Sequence, residues 1–137
     1  MNNFQFNDGG QSEYRSLNSG YCGVRALVMA TGMNWKDAEK HLRKFTKAGR
    51  AGNGKLSNGI FREDYSAALA ALGWKWTPTK PLIVPQGYKQ PRAKDLQGKG
   101  KVIARMAKHF AYVDDGVVHD IWDCTDKMVY GYWAKVA

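Results

Sequence analysis

The sequence predicts an α+β fold, with helices packed on an antiparallel β-sheet that follows them in the chain. Apolar residues recur at helical spacing between positions 22 and 72, whereas β-branched and aromatic residues dominate short segments after position 100. The pair Asp115-Gly116 separates two of these segments and is a strong hairpin signal. With 137 residues and a hydrophobic fraction of 44%, the chain is expected to form a single domain, 1–137, with a sizeable core.

The first two helices are predicted from their spacing and their terminal residues. Residues 1–20 are polar and rich in Gly, Asn and Ser, so we expect a loop-like lead-in. A helix over about 22–31 would end at Gly32, a residue that suits a helix C-terminus. Asn34 then suits the N-cap of a second helix. The apolar positions of that helix are Trp35, Ala38, Leu42 and Phe45.

The middle of the chain combines one helical pattern with two irregular segments. The basic, glycine-rich residues 47–59 are predicted to form a loop, and a third helix is predicted over about 60–72. Trp74 and Trp76 alternate with a lysine, as in a short strand. Residues 77–100 contain all four prolines and predict a long irregular connection with one helical turn near 92–97. The inward positions of the third helix are expected to be Phe61, Tyr65, Ala68, Leu69 and Leu72.

Strands are predicted for the last third of the chain. A strand over 101–106 precedes a hairpin of residues 109–113 and 117–123. A final strand, rich in Tyr and Trp, is predicted over 128–136.

Cys22 stands where a polar turn passes into the first helix. Unpaired backbone N–H groups and the helix dipole favour negative charge at that point. A thiolate is therefore favoured over a thiol, which makes Cys22 a candidate nucleophile. A cysteine followed far downstream by a histidine and a carboxylate is the order found in one class of thiol hydrolases.

The downstream hairpin offers the histidine and the carboxylate. If Asp115 and Gly116 form a two-residue turn, His109 and Asp120 are diagonal neighbours on one face of the sheet. If the turn has three residues, the second strand changes face, and His119 and Asp123 join His109 instead. We prefer Asp120, with Asp123 as the alternative. In this hypothesis Cys22 attacks a carbonyl carbon, His109 moves the proton, and Asp120 orients the imidazole.

These segments resemble the papain-like cysteine peptidase superfamily. The residues that carry the resemblance are Cys-Gly-Val-Arg-Ala-Leu from Cys22 and Lys-His-Phe-Ala-Tyr-Val-Asp-Asp-Gly-Val-Val-His-Asp from Lys108. The chain is most similar to small phage and bacterial members, including the double-glycine peptidases that process bacteriocins. The Cys-x-x-Arg-Ala-Leu run is also similar to ovarian-tumour-type deubiquitinases. The resemblance covers roughly residues 18–32 and 101–136.

The resemblance implies an N-terminal helix on an antiparallel sheet and a Cys22, His109 and Asp120 triad without a cofactor or a metal. Members often carry a glutamine six residues before the cysteine as oxyanion donor, but here that residue is Ser16. Asn18 and Gln11 are the alternative donors, beside the backbone N–H of Cys22. The expected substrate is a protein or peptide.

Charge and cysteine content suggest partners and a compartment. The 21 Lys and Arg residues exceed the 12 Asp and Glu residues, giving a net charge of +9. A basic face with nearby Trp residues suits an acidic protein or a nucleic acid, so an inactive papain-like binding module is the second hypothesis. No signal peptide or membrane-spanning segment is evident, and two cysteines suit a reducing cytoplasm, that of the host if the protein is phage-encoded.

Two further motifs have weak support. Residues 49–55 match the first seven positions of a phosphate-binding P-loop, but Leu56 replaces the Ser or Thr that binds magnesium. A zinc site drawn from both cysteines, His109 and His119 lacks the paired spacing of zinc ligands. Cys124 is therefore expected to fill space in the core.

Overall fold

The computed structural model describes residues 3–46, 56, 59–79 and 82–136. In that part of the chain, helices pack on a six-stranded mixed β-sheet, so the α+β prediction is confirmed. The α-helices are α1 (Cys22–Thr31), α2 (Trp35–Arg43) and α3 (Arg62–Ala70). The strands are β1 (Phe4–Phe6), β2 (Trp74–Pro78), β3 (Leu82–Val84), β4 (Gly87–Lys89), β5 (Lys101–Met106), β6 (His109–Asp114), β7 (Val117–Asp120) and β8 (Gly131–Lys135).

The antiparallel prediction is wrong for one edge of the sheet. The strand order is β1-β7-β6-β5-β8-β2, and β1 pairs with β7 in parallel. The predicted lead-in of residues 1–20 thus supplies a strand, and it also contains a 3₁₀ turn at Gln11–Glu13. The segment Phe-Gln-Phe is too short to have a clear strand pattern, and its pairing partner is more than 110 residues away.

Local signals locate the helix ends correctly. Gly32 adopts φ +77° at the C-terminus of α1, a conformation that glycine reaches without strain. The side chain of Asn34 accepts a hydrogen bond from the Asp37 N–H at 2.8 Å and so caps α2. Of the predicted inward positions on α3, Phe61 is wrong, since it is 42% exposed just before the helix begins.

The hairpin of β6 and β7 has the register expected for a two-residue turn. Asp114 pairs with Val117, and Asp115 and Gly116 both have positive φ. Strand β7 is shorter than predicted and ends at Asp120, and β8 is likewise shorter than predicted. The predicted irregular segment contains a 3₁₀ turn at Ala93–Asp95 and also the small antiparallel pair β3–β4.

The central strands are buried on both faces. Ile103, Phe110 and Trp133 pack against the helices, while Val102 and Ala111 pack on the other face, beneath the turn at Ala93–Asp95. Successive strand residues point to opposite faces, so the alternation along β5 and β6 builds two apolar layers. Strand β6 lies in the middle of the sheet, and its first residue is His109.

None of the helices in the described part of the chain is long and apolar enough to cross a bilayer.

Candidate active site

Cys22 is the first residue of α1, as predicted. Its N-cap is Tyr21, and no side chain caps the helix. The first N–H groups of a helix have no acceptor within that helix, so the N-terminus of α1 presents donors and positive potential beside the Cys22 sulfur. Cys22 is half-buried and is not in a disulfide.

Gly23 allows α1 to approach the sheet closely. A Cβ at this position would lie 3.0 Å from Ile60 Cδ1, 3.2 Å from Tyr65 Cε1 and 3.5 Å from Phe110 Cδ2. The Tyr65 hydroxyl donates a 2.7 Å hydrogen bond to the Gly23 carbonyl and so fixes the distance between Tyr65 and the start of α1. The Cys-Gly pair therefore sets the distance between the sulfur and the start of β6.

His109 is held at the start of β6 by a tight turn. Its Cα pairs with that of Met106, and Lys108 in the turn has φ +55°. The side chain is buried, and Nε2 lies 2.6 Å from Asp120 Oδ2. The ring is also close enough to Cys22 for the two groups to shift each other's pKa. The exposed Trp122 ring packs against the imidazole, with centroids 5.0 Å apart.

Asp120 is fixed by donors on both carboxylate oxygens. Oδ1 accepts two N–H groups of Arg25, at 2.9 and 3.2 Å, and the Ile121 N–H at 2.7 Å, whereas Oδ2 faces His109. Arg25 also donates to Gln11 Oε1 at 2.6 Å. All of these side chains are buried, so the carboxylate has little freedom to rotate.

Burial and charge act in opposite directions on the pKa values of the three groups. Burial raises the pKa of the Cys22 thiol, but the hydrogen bond and charge of His109, with the Phe110 N–H and Arg25, lower it overall. Burial lowers the pKa of His109, but hydrogen bonds with Asp120, Cys124 and Cys22 raise it to about 11. Burial raises the pKa of Asp120, while His109 and Arg25 lower it overall.

The three pKa shifts together determine which groups of the site are charged. The lowered pKa of Cys22 and the raised pKa of His109 favour a thiolate beside an imidazolium, with an ionised Asp120 behind the ring. Such an arrangement is able to attack an electrophilic carbon and to supply a proton to a departing group.

The two-residue turn also decides between the candidate carboxylates. Asp120 lies beside His109, whereas Asp123 is exposed and accepts hydrogen bonds from the Thr125 N–H and hydroxyl at 3.0 and 2.7 Å. The alternative that placed Asp123 beside His109 is therefore wrong. His119 points away from the site, with its ring 5.3 Å from that of Tyr112.

The suggested oxyanion donors differ in their surroundings. Gln11 is fully buried, and its Nε2 already donates to the Ser16 carbonyl at 2.9 Å, so it supports Arg25 instead of facing the sulfur. Asn18 is exposed in the loop before α1, and its backbone N–H donates to the Ser16 hydroxyl at 3.2 Å.

Two residues of this site were not predicted from the sequence. Arg25 follows Cys22 by three residues within an apolar run, and a buried cation there requires a buried anion. An arginine inside an apolar helical run was therefore the sequence signal that could have indicated a buried acidic partner. Cys124 is buried, as expected, but its Sγ lies 3.5 Å from Asp120 Oδ2, and no motif indicated this contact.

The basic segments are only partly described. The P-loop-like residues 49–55 lie outside the described residues.

A cavity of about 420 Å³ lies elsewhere in the described part of the chain. It is lined by Lys99, Lys101 and Lys135, together with Trp74, Ala30 and Ala134. Val102 of β5 pairs with Ala134 of β8, and continuing this antiparallel register by one residue brings Lys101 opposite Lys135.

Comparisons with protein family models, with curated proteins and with solved structures found no match for this chain.

Proposed function

We propose that this chain is a papain-like thiol hydrolase that cleaves peptide or isopeptide bonds. Cys22 is the nucleophile, His109 the general acid and base, and Asp120 the residue that orients the imidazole. The observation that carries the proposal is the position of the buried His109 ring, which lies 2.6 Å from the Asp120 carboxylate and is close enough to Cys22 to lower the pKa of its thiol. The proposed setting is a reducing cytoplasm, in which both cysteines remain thiols.

The reaction follows from the charges on the three groups. The Cys22 thiolate adds to the substrate carbonyl carbon and forms a tetrahedral oxyanion, which the backbone N–H of Cys22 at the start of α1 stabilises. The His109 imidazolium gives its proton to the amine as the C–N bond breaks, leaving a thioester. A water molecule then gives a proton to His109 and attacks the thioester, which releases the acid and restores the thiolate.

Arg25 has a positioning role in this proposal. It occupies Asp120 Oδ1 and leaves Oδ2 directed at His109 Nε2. The imidazole is thereby held by Asp120 through Nε2. Because Arg25 and Cys22 are three residues apart on α1, one helix carries both the nucleophile and the cation that fixes the acid.

The proposal is tested by comparing cleavage products. A cell lysate is incubated with the wild-type chain or the Cys22→Ala or His109→Ala variant, and new peptide N-termini are identified by mass spectrometry. We expect new termini with the wild type only. His119→Ala is the matched control, since His119 lies next to Asp120 in sequence but outside the site, and it should retain the wild-type products. Identical products from wild type and Cys22→Ala would reject the mechanism.

A second candidate function is supported by the lysine-lined cavity. Lys101 and Lys135 are neighbours on adjacent strands, and like charges so placed repel each other. A bound anion would relieve that repulsion, which favours an inactive papain-like module that binds nucleic acid or an acidic protein. Single-stranded DNA binding should then weaken steeply with salt and with Lys101→Glu. Lys75→Glu, on β2 outside the cavity, is the control.

A further inference from the structure

Cys124 completes a buried group of three potential metal ligands with His109 and Asp120. We call this group the His109–Asp120–Cys124 cluster. Its side chains are 7%, 1% and 1% exposed, respectively. One ligand atom from each residue lies within 4.8 Å of the other two. The proposed reaction uses His109 and Asp120 but assigns no role to the Cys124 thiol.

The donor set matches the chemistry of zinc. Thiolate sulfur, imidazole nitrogen and carboxylate oxygen are the three ligand types that Zn²⁺ prefers, whereas Mg²⁺ and Ca²⁺ prefer oxygen alone. A thiolate and a carboxylate also balance the two charges of the ion. Arg25 occupies Asp120 Oδ1 and so leaves Oδ2 for the cluster.

The distances require only a small rearrangement. Tetrahedral bonds of about 2.0–2.3 Å place neighbouring ligand atoms about 3.3–3.8 Å apart. The 3.5 Å between Cys124 Sγ and Asp120 Oδ2 already falls in that range. The 2.6 Å between His109 Nε2 and Asp120 Oδ2 must open by about 0.7 Å to reach the lower end of that range.

We propose that the His109–Asp120–Cys124 cluster is a Zn²⁺ site, and that occupation of the site withdraws His109 from Cys22. Cys124 releases its thiol proton and the His109 imidazolium releases its Nε2 proton, both to solvent. The Cys124 sulfur and His109 Nε2 then bind the ion, and the hydrogen bond between Nε2 and Asp120 is lost. The proposal that the cluster binds Zn²⁺ does not depend on the proposed hydrolase activity. The proposal that Zn²⁺ reversibly inhibits the enzyme does rest on that activity.

The binding test uses the full chain with Zn²⁺ in calorimetry and Co²⁺ in absorption spectroscopy. Wild type and Cys22→Ala should each bind one ion, and Co²⁺ should give thiolate-to-metal charge transfer. Changes to residues outside the ligand shell typically weaken metal binding about 10–100-fold, so losing the Cys124 ligand should weaken it at least that much. Cys124→Ser should retain the fold and lose the charge-transfer band, which keeps the test valid if Cys124→Ala unfolds.

Two results would overturn the zinc proposal. One is unchanged Zn²⁺ affinity in folded Cys124→Ser, and the other is loss of binding in Cys22→Ala, which would locate the ion between Cys22 and His109.

The withdrawal of His109 from Cys22 on zinc binding is tested by alkylating Cys22 with iodoacetamide. Zn²⁺ should slow the wild-type reaction and leave the Cys124→Ser reaction unchanged. A chain that binds Zn²⁺ through Cys124 but shows no hydrolysis would reject the proposed function alone.

Discussion

Replacing Arg25 with methionine should destabilise the fold strongly, because the buried Asp120 carboxylate would lose one of its two counter-charges and would keep only that of His109. Arg25 is 3% exposed, Asp120 is 1% exposed, and two N–H groups of Arg25 contact one oxygen of Asp120. Breaking a buried pair by removing one partner raises the free energy of the folded state by about 3–5 kcal/mol. For a chain of this length, the corresponding decrease in Tm is roughly 10–20 °C.

The assay is urea unfolding followed by circular dichroism, with Arg25→Met, Asp120→Asn and the double variant. The double variant should be destabilised by less than the sum of the two single changes, because both single changes disrupt the same ion pair. Lys94→Met is the control, since Lys94 and Asp126 form an exposed pair, and its unfolding midpoint should stay close to wild type. An Arg25→Met variant within about 1 kcal/mol of wild type would show that the buried Arg25–Asp120 pair contributes little to stability.

Three further outcomes follow from the structure. The pKa of Asp120 is lowered in the fold, so its stabilisation is present above about pH 4 and is lost as pH falls through the folded pKa; Asp120→Asn should flatten that decline in acid unfolding. Gly23→Ala should push α1 from Tyr65, destabilise by about 1–3 kcal/mol in urea and slow Cys22 alkylation, whereas unchanged values would contradict the close packing. Gly116→Ala should lower Tm, since φ is +87° and a Cβ would overlap the Gln97 side chain; an unchanged Tm would contradict the turn assignment.

The sequence was informative where a signal is local. Gly32 marked the end of α1, and the Asp115-Gly116 pair fixed the hairpin register, which placed Asp120 on the same face as His109. A two-residue turn with both φ values positive permits only one pairing of its flanking residues, so these two residues determine the positions of many others.

The sequence was less informative where a contact joins distant segments. Strand β1 depends on pairing with β7, and its own three residues have no distinctive pattern. The contact of Arg25 with Asp120 spans 95 positions, and Cys124 reaches Asp120 from a loop that follows β7. In each case the packed fold, and not local propensity, brings the partners together.

The charge state of Cys22 is the central claim, and it is measured most directly by thiolate absorbance in the ultraviolet as a function of pH. A Cys124→Ser background leaves Cys22 as the single thiol of the chain. The thiolate signal should persist below the ordinary thiol pKa of about 8.5, and His109→Ala should move the midpoint upward. A midpoint at or above 8.5 that His109→Ala leaves unchanged would contradict the account.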